Sequence, residues 1–345
     1  MKAAVYNTFN GTIEIKQVDD PVVTEKEAII EVRASGICRS DWHGWKGQDP
    51  DIRLPHVPGH EFSGIVKEVG SKVSLFQAGD RVTAPFCCGC STCPQCMMGN
   101  QHICDSHFQP GFTDWGSFAQ YVQIKNADFN LVKLPSSIDF VSAAGLGCRF
   151  ITGFHGIVNQ GKVDKSMFVA IHGCGGVGLS AIMIAAVYGA KVIAVDINEE
   201  NLQRAKSLGA EYTINATKVN VVDKVREITG DGANLSMDAL GSHVTSSNSI
   251  NCLAKKGKHI QVGILGIEND ISVSSADLIA KEIELIGSHG MPIADYDIIF
   301  DLISSKKIDL SLLIDRTVKL EDVHQEMLNM DAYSNSGMVI IDSFI

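Results

Sequence analysis

Cys90, Cys93 and Cys96 stand with two residues between each, and Cys104 follows after seven more. Four thiolates in one loop can close a tetrahedron around zinc and leave no open position, which makes such a site structural. The ion then pins a loop that burial alone would not fold. Paired cysteines at this spacing also do redox chemistry, but three in succession plus a fourth favour metal. Cys87 and Cys88, adjacent extras, read as small buried residues. Five of the ten cysteines fall in residues 87–96, and nothing in the chain points to secretion. A reducing compartment, the cytoplasm, is the expectation.

A second motif is Gly173-Cys174-Gly175-Gly176-Val177-Gly178, between an apolar run at 167–172 and a helical pattern at 179–188. Glycine here lets the chain turn tightly, lets backbone approach a pyrophosphate, and lets the helix pack on the strand. The helix N-terminus then offers free N–H groups to phosphate. Asp196 ends the next apolar run, at the spacing expected for a ribose-binding carboxylate. A carboxylate there accepts hydrogen bonds from both ribose hydroxyls and repels a 2′-phosphate. No Arg or Lys follows before Arg204. The reading is a Rossmann domain that prefers NAD over NADP.

Three further groups have ionisable or ligating side chains: Cys38-Arg39-Ser40-Asp41-Trp42-His43, Gly59-His60-Glu61, and Cys148 within residues 145–150. Singly, each is compatible with packing, and spacing does not show that they meet.

Around these motifs the chain changes rhythm. Residues 28–33, 64–70 and 80–85 are short, β-branched and bounded by Gly, Pro or Asp, so the first part reads as β-rich with long loops. Met1 to Tyr6 read as the first strand rather than a secretory signal. From about residue 150 strands and helices alternate: strands at 167–172, 191–196, 235–240, 259–263 and 283–287, helices at 179–188, 199–208, 221–228 and 244–254. Such βα alternation builds a doubly wound parallel sheet. The tail from residue 288 shows two amphipathic helical stretches and a last strand at 338–341. The expected division is 1–149 with a C-terminal return of 288–345, and 150–287 for the nucleotide domain. A formal net charge of −11 opposes phosphate-backbone binding, and no apolar run is long enough to span a bilayer.

Taken in order, residues 36–41 with His43, Pro58-Gly59-His60-Glu61, the cysteine lobe, the Cys148 segment and the glycine loop resemble the zinc-containing alcohol dehydrogenases of the medium-chain dehydrogenase/reductase superfamily. The likeness runs over essentially the whole chain. It implies a GroES-like β-rich catalytic domain and a Rossmann domain, a zinc ion at each of two sites, and NAD. By that resemblance Cys38, His60 and Cys148 hold the catalytic zinc. Asp41 orients His60, and Glu61 lies behind the metal, where it either approaches the ion during ligand exchange or is satisfied by an arginine. Ser40 and His43 resemble a proton relay, Arg39 a pyrophosphate contact and Thr152 a nicotinamide contact. Phe86 and Trp42, with Trp115 and Leu265 as further candidates, resemble pocket residues. The cysteine at 148 favours alcohol dehydrogenases over polyol dehydrogenases, where a carboxylate is usual. Met338 departs from the family, whose members often have a basic residue after the glycine. The short chain resembles the tetrameric type, so a homotetramer is expected. The implied reaction is hydride transfer between an apolar primary or secondary alcohol and NAD. A polyol or amino-alcohol dehydrogenase of the same fold is the alternative; a non-catalytic dinucleotide-binding protein is disfavoured by the intact ligand set.

Overall fold

The computed structural model describes residues 1–265, 270–332 and 337–344. It divides into two compact units, Met1–Ile151 with Gly290–Ile345, and Thr152–His289.

The first unit is β-rich. Its largest sheet runs Ile314–Lys319, Met338–Ser343, Ala28–Ile37, Glu61–Val69, Arg81–Thr83, Val132–Lys133, with Tyr121–Ile124 also paired to Ala28–Ile37. A separate hairpin joins Lys2–Val5 to Glu14–Gln17. Tyr6, Ile30, Phe62, Phe118 and Ile341 pack in its core. Strand Ile314–Lys319 is not in the sequence reading, because Asp315, Arg316 and Lys319 break its apolar run. Its burial nonetheless alternates residue by residue, as an edge strand's should. The strand read at 28–33 extends to Ile37, past the small residues Ala34, Ser35 and Gly36 and a register irregularity at Val32/Ala34.

The second unit is a six-stranded parallel sheet in the order Tyr212–Asn215, Lys191–Asp196, Phe168–His172, Ala233–Asp238, Leu253–Gln261, Glu284–Gly287. The chain thus winds outward from Phe168–His172 in one direction and then in the other, which leaves a switch point beside that strand. Helix Gly176–Val187 is buried around most of its circumference, as a sequence apolar but for Ser180 requires. The helix read at 244–254 spans His243–Asn251 instead, and the strand read at 259–263 begins at Leu253. Lys256 takes a left-handed φ of 59°, so a kink with two lysines and a glycine disguises the start of that strand. Strand Tyr212–Asn215, only four residues long, is also new.

Among the described residues no helix is long and apolar enough to cross a membrane.

Candidate active site and cofactor crevice

The antiparallel pairing of Ala28–Ile37 with Glu61–Val69 sets Gly36 opposite Glu61. Cys38 lies just beyond the end of one strand and His60 just before the start of the other, so register alone makes them neighbours. Cys38 then caps helix Arg39–Trp45 in an extended conformation. Asp41 in its first turn accepts the Cys38 N–H at 2.9 Å through Oδ2. Its other oxygen accepts the Gly59 N–H at 3.0 Å and meets His60 Nδ1 at 2.8 Å. Gly59 has a φ of 105°, and a Cβ there would lie 2.6 Å from the Phe118 backbone nitrogen, so only glycine fits this turn.

Cys148 arrives on a wide π-type turn, Leu146–Phe150, a distortion often found at functional sites. The Gly147 carbonyl accepts the Phe86 N–H at 2.8 Å, and a Cβ on Gly147 would sit 2.9 Å from Glu61 Cα. As a result ligating atoms of Cys38, His60, Glu61 and Cys148 all lie within 4.8 Å of one another, every residue buried. His60 Nε2 is buried with no hydrogen-bond partner among the described residues. A buried imidazole nitrogen left unpaired is costly. Here it faces two thiols while Asp41 holds the other nitrogen, the arrangement that suits a metal-binding histidine. Two sulfurs and one imidazole nitrogen are a donor set that zinc accepts.

Glu61 is satisfied by an arginine. Arg149 Nε donates to both carboxylate oxygens at 3.0 and 2.9 Å, Nη2 donates to Oε2, and the Arg149 N–H donates to Oε1 at 2.8 Å. Burial pushes the Glu61 carboxyl pKa up and the guanidinium pulls it back. A Cβ on Gly36 would come within 2.4 Å of Glu61 and 2.7 Å of Arg149, so glycine makes room for the pair.

In the cysteine lobe Cys90, Cys93, Cys96 and Cys104 also gather their sulfurs within 4.8 Å. Cys93 and Cys104 sulfurs are 3.7 Å apart, close to the edge of about 3.8 Å expected for four sulfurs about 2.3 Å from one zinc. Backbone N–H groups of Cys93, Cys96 and Ser106 point at Cys90, Cys93 and Cys104 sulfurs at 3.3, 3.4 and 3.3 Å, which favours thiolates. The lobe therefore fits zinc. Cys87 and Cys88 are buried and belong to neither cluster.

In the second unit the glycine loop joins Phe168–His172 to helix Gly176–Val187, whose N-cap is Gly175. Gly173 has a φ of 93°, and a Cβ on Gly178 would meet the Gly173 carbonyl oxygen at 1.8 Å. A Cβ on Gly175 would meet nothing within 4 Å, so that face lies open to a ligand. Val177 sits in the first turn. Asp196 Oδ2 accepts the Cys174 N–H at 2.7 Å and Oδ1 accepts the Asn198 N–H at 2.8 Å, which ties the glycine loop to the neighbouring strand. The Thr152 hydroxyl is buried with no partner among the described residues.

Ser40 and His43 lie three residues apart on helix Arg39–Trp45; His43 is exposed and meets Gln48 through Nδ1 at 2.5 Å. Arg39 donates to the Met330 carbonyl at 2.5 Å and stacks over Trp42, which in turn donates to Asp331. Met338 is buried on its strand, its sulfur 2.9 Å from where a Gly145 Cβ would be. Phe86 stands edge-on to His60 with ring centroids 6.1 Å apart. Phe112 is nearer, at 5.2 Å, and the sequence reading missed it, since a lone phenylalanine in a loop after the cysteine lobe has no motif to flag it. Trp115 lies elsewhere, donating to the Pro55 carbonyl on a surface groove of about 410 Å³ that no metal-ligand candidate lines. Leu265 is described and half-buried in the second unit.

With this geometry in place, the relatives agree on the class. Residues 24–136 match the alcohol dehydrogenase GroES-like domain family and residues 176–305 the zinc-binding dehydrogenase family. The chain belongs to the zinc-containing alcohol dehydrogenases and is an oxidoreductase of that class. It is 32% identical to an NAD-dependent alcohol dehydrogenase of Sulfurisphaera tokodaii over 99% of both chains. It is 31% identical to a sorbitol dehydrogenase of Halalkalibacterium halodurans over 91% of both. Its fold superposes on an alcohol dehydrogenase of Thermus sp. ATN1 with a TM-score of 0.93, covering 99% of this chain and 100% of that one at 29% identity.

Proposed function

We propose that this enzyme moves a hydride between a small or medium apolar alcohol, primary or secondary, and NAD, giving the aldehyde or ketone. One observation carries the reading: His60 Nε2, buried and unpartnered, faces the Cys38 and Cys148 thiols while Asp41 fixes its other nitrogen. These three residues would hold a catalytic zinc, and the four-cysteine lobe a second, structural one. Bound zinc supplies Lewis-acid polarisation of an alcohol oxygen, and NAD supplies the hydride acceptor.

The chain's own residues do the rest. Asp41 keeps the His60 proton on Nδ1, so that Nε2 offers its lone pair. Ser40, beside the ligand Cys38, takes the alcohol proton and hands it towards the exposed His43 on the same helix, where Gln48 steadies the ring. Phe86 and Phe112 set aromatic edges against His60, shielding it from water and favouring an apolar substrate. Arg39 serves the pyrophosphate and Thr152 the nicotinamide. Gly173, Gly175, Gly176, Val177 and Gly178 give the phosphates backbone N–H groups, and Asp196 selects NAD. Glu61, held by Arg149, acts as a fixed charge behind the ligands.

A polyol substrate is the second reading, favoured by the sorbitol dehydrogenase relative and opposed by the two phenylalanines. Ten unpaired cysteines support a reducing, cytoplasmic setting. The edge strand Glu284–Gly287, with Leu285 exposed, supports sheet joining across a two-fold axis, the contact within each dimer of a homotetramer built as a dimer of dimers. Light scattering that finds a monomer at micromolar concentration removes that assembly.

The test is zinc content per chain, with NAD reduction followed against apolar alcohols and polyols before and after chelation. Two zincs, with activity lost as the first leaves, are expected. Cys38→Ser and His60→Ala should each abolish turnover and retain NAD binding; activity in either would refute the ligand assignment.

A further inference from the structure

Helix Arg39–Trp45 ends in a Schellman motif. The Gln48 N–H donates to the His43 carbonyl at 3.0 Å, and the Gly47 N–H donates to the Gly44 carbonyl at 3.0 Å. Gly47 takes a φ of 77°, the left-handed turn that such an ending needs, and a Cβ there would press on the Phe9 ring at 3.0 Å. The turn folds the chain back and sets the Gln48 side chain beside that of His43. In such endings these two positions commonly share an apolar contact. Here they share a hydrogen bond, His43 Nδ1 to Gln48 Oε1 at 2.5 Å.

We propose that Gln48 is a positioning residue that fixes the His43 tautomer: it holds the ring proton on Nδ1 and leaves Nε2 as the nitrogen that takes the proton released by the alcohol. The proposal rests on the relay reading above, in which Ser40 passes that proton to His43.

An amide oxygen only accepts, so the imidazole nitrogen that touches it must carry the hydrogen. Neutral imidazole has one N–H, and placing it on Nδ1 leaves a lone pair on Nε2. A ring flip would put a carbon against the amide oxygen instead. The ring also meets Trp42 edge-on, with centroids 5.0 Å apart. Trp42 is itself held, its Nε1 donating to Asp331 at 3.0 Å and Arg39 lying 3.9 Å over its ring.

The charged groups of this helix, of the turn after it and of the segment packed on it are already engaged. Asp41 holds His60, Arg39 donates to the Met330 carbonyl, and Lys46 reaches Asn10 and Asp331. Asp49 accepts the Asp51 N–H, and Asp51 lies 3.5 Å from His107. Among the described residues the His43 ring therefore has a neutral hydrogen-bond partner in Gln48 and no carboxylate. A carboxylate in that place would hold the imidazolium and slow its release of a proton; an amide fixes the tautomer without the charge. His43 is exposed, so Nε2–H passes its proton to solvent and the ring returns to its starting state. One proton is carried outward and no other bond changes.

The test uses zinc-loaded enzyme. Gln48 is exposed and its backbone bond to His43 survives substitution, so its variants keep the fold. Ring-nitrogen NMR, with the His43 signal identified by its loss in His43→Asn, should place the proton on Nδ1 in the parent. In Gln48→Met it should move towards Nε2. Stopped-flow NADH formation should give a first-turnover rate about two- to tenfold lower in Gln48→Met at neutral pH. KM for NAD and alcohol should hold, and imidazole buffer should restore the rate. Gln48→Glu keeps the tautomer and adds a charge, so the pH midpoint of that rate should move up by about one unit. A parental tautomer or first-turnover rate in Gln48→Met, or an unmoved midpoint in Gln48→Glu, overturns the role of Gln48. A parental rate in His43→Asn refutes the relay reading instead.

Discussion

Arg149→Met would remove the cation that faces Glu61 while keeping a long apolar side chain in its place. Glu61 is fully buried and Arg149 is 6% exposed, so no water replaces the lost contacts. Three side-chain hydrogen bonds disappear and only the Arg149 backbone N–H still reaches the carboxylate. Removing one partner of a buried ion pair costs about 3–5 kcal/mol, against a total stability of roughly 5–15 kcal/mol. For a unit of this size 1 kcal/mol shifts Tm by about 2–4 °C, so a fall of about 6–20 °C is expected. The assay is thermal unfolding by circular dichroism on zinc-loaded protein, with zinc content measured in parallel. The double variant Glu61→Gln/Arg149→Met should recover most of the loss, because a neutral amide is far cheaper to bury than a carboxylate. An Arg149→Met protein within about 2 °C of the parent, or a deficit that Glu61→Gln leaves untouched, would refute the reasoning. The double variant then isolates, through kcat, any part Glu61 plays in ligand exchange.

Asp196→Ser should raise the NADP/NAD ratio of kcat/KM about tenfold or more, with NAD itself bound less well because Cys174 loses its acceptor. Steady-state kinetics with both cofactors checks this, and an unchanged ratio would put selection elsewhere. Cys93→Ser should lower Tm before it lowers kcat at 25 °C; the reverse order would mean that the lobe is not structural. Acid should destabilise the second unit through His172, whose pKa burial pushes down to about 3. The folded state keeps this imidazole neutral, so stability is whole above the ordinary histidine pKa and is lost as pH falls from there towards 3, at up to about 1.4 kcal/mol per pH unit. Stability measured between pH 7 and 4 should fall less steeply in His172→Gln, and parallel slopes would rule His172 out.

The parts of the site that sequence made legible are those where chemistry constrains a short segment. A four-thiolate lobe needs its cysteines within one loop, and a tight strand-to-helix turn needs glycine where Gly173 takes a positive φ and Gly178 abuts a carbonyl. Both are local demands, so residue type and spacing carry them. The cluster proposed as catalytic is different. Cys38, His60 and Cys148 are far apart in the chain, and what joins them is the Gly36–Glu61 register and a π-type turn, neither of which has a sequence signature. Family resemblance supplied that grouping, and the strand pairing gives the physical reason for it.

Elements were lost where the local pattern and the tertiary environment disagreed. Ile314–Lys319 carries three charged residues yet alternates cleanly: Asp315 and Lys319 lie on the exposed face, and Arg316, on the half-buried face with Ile314 and Val318, is paired with Glu326. The start of Leu253–Gln261 hides behind Lys255, Lys256 and Gly257, where a left-handed lysine kinks the strand. The same contrast holds among the loops at the C-terminal edge of the parallel sheet. The loop after Phe168–His172 has a glycine motif because the chain turns through a positive φ and packs backbone on backbone there. The loops leaving Ala233–Asp238 and Leu253–Gln261 are held by an ordinary aspartate and an ordinary glutamine on adjacent strands, and their meaning comes from which N–H groups they reach. Nothing about Asp238 distinguishes it from a surface aspartate until burial and the two loop amides are seen together.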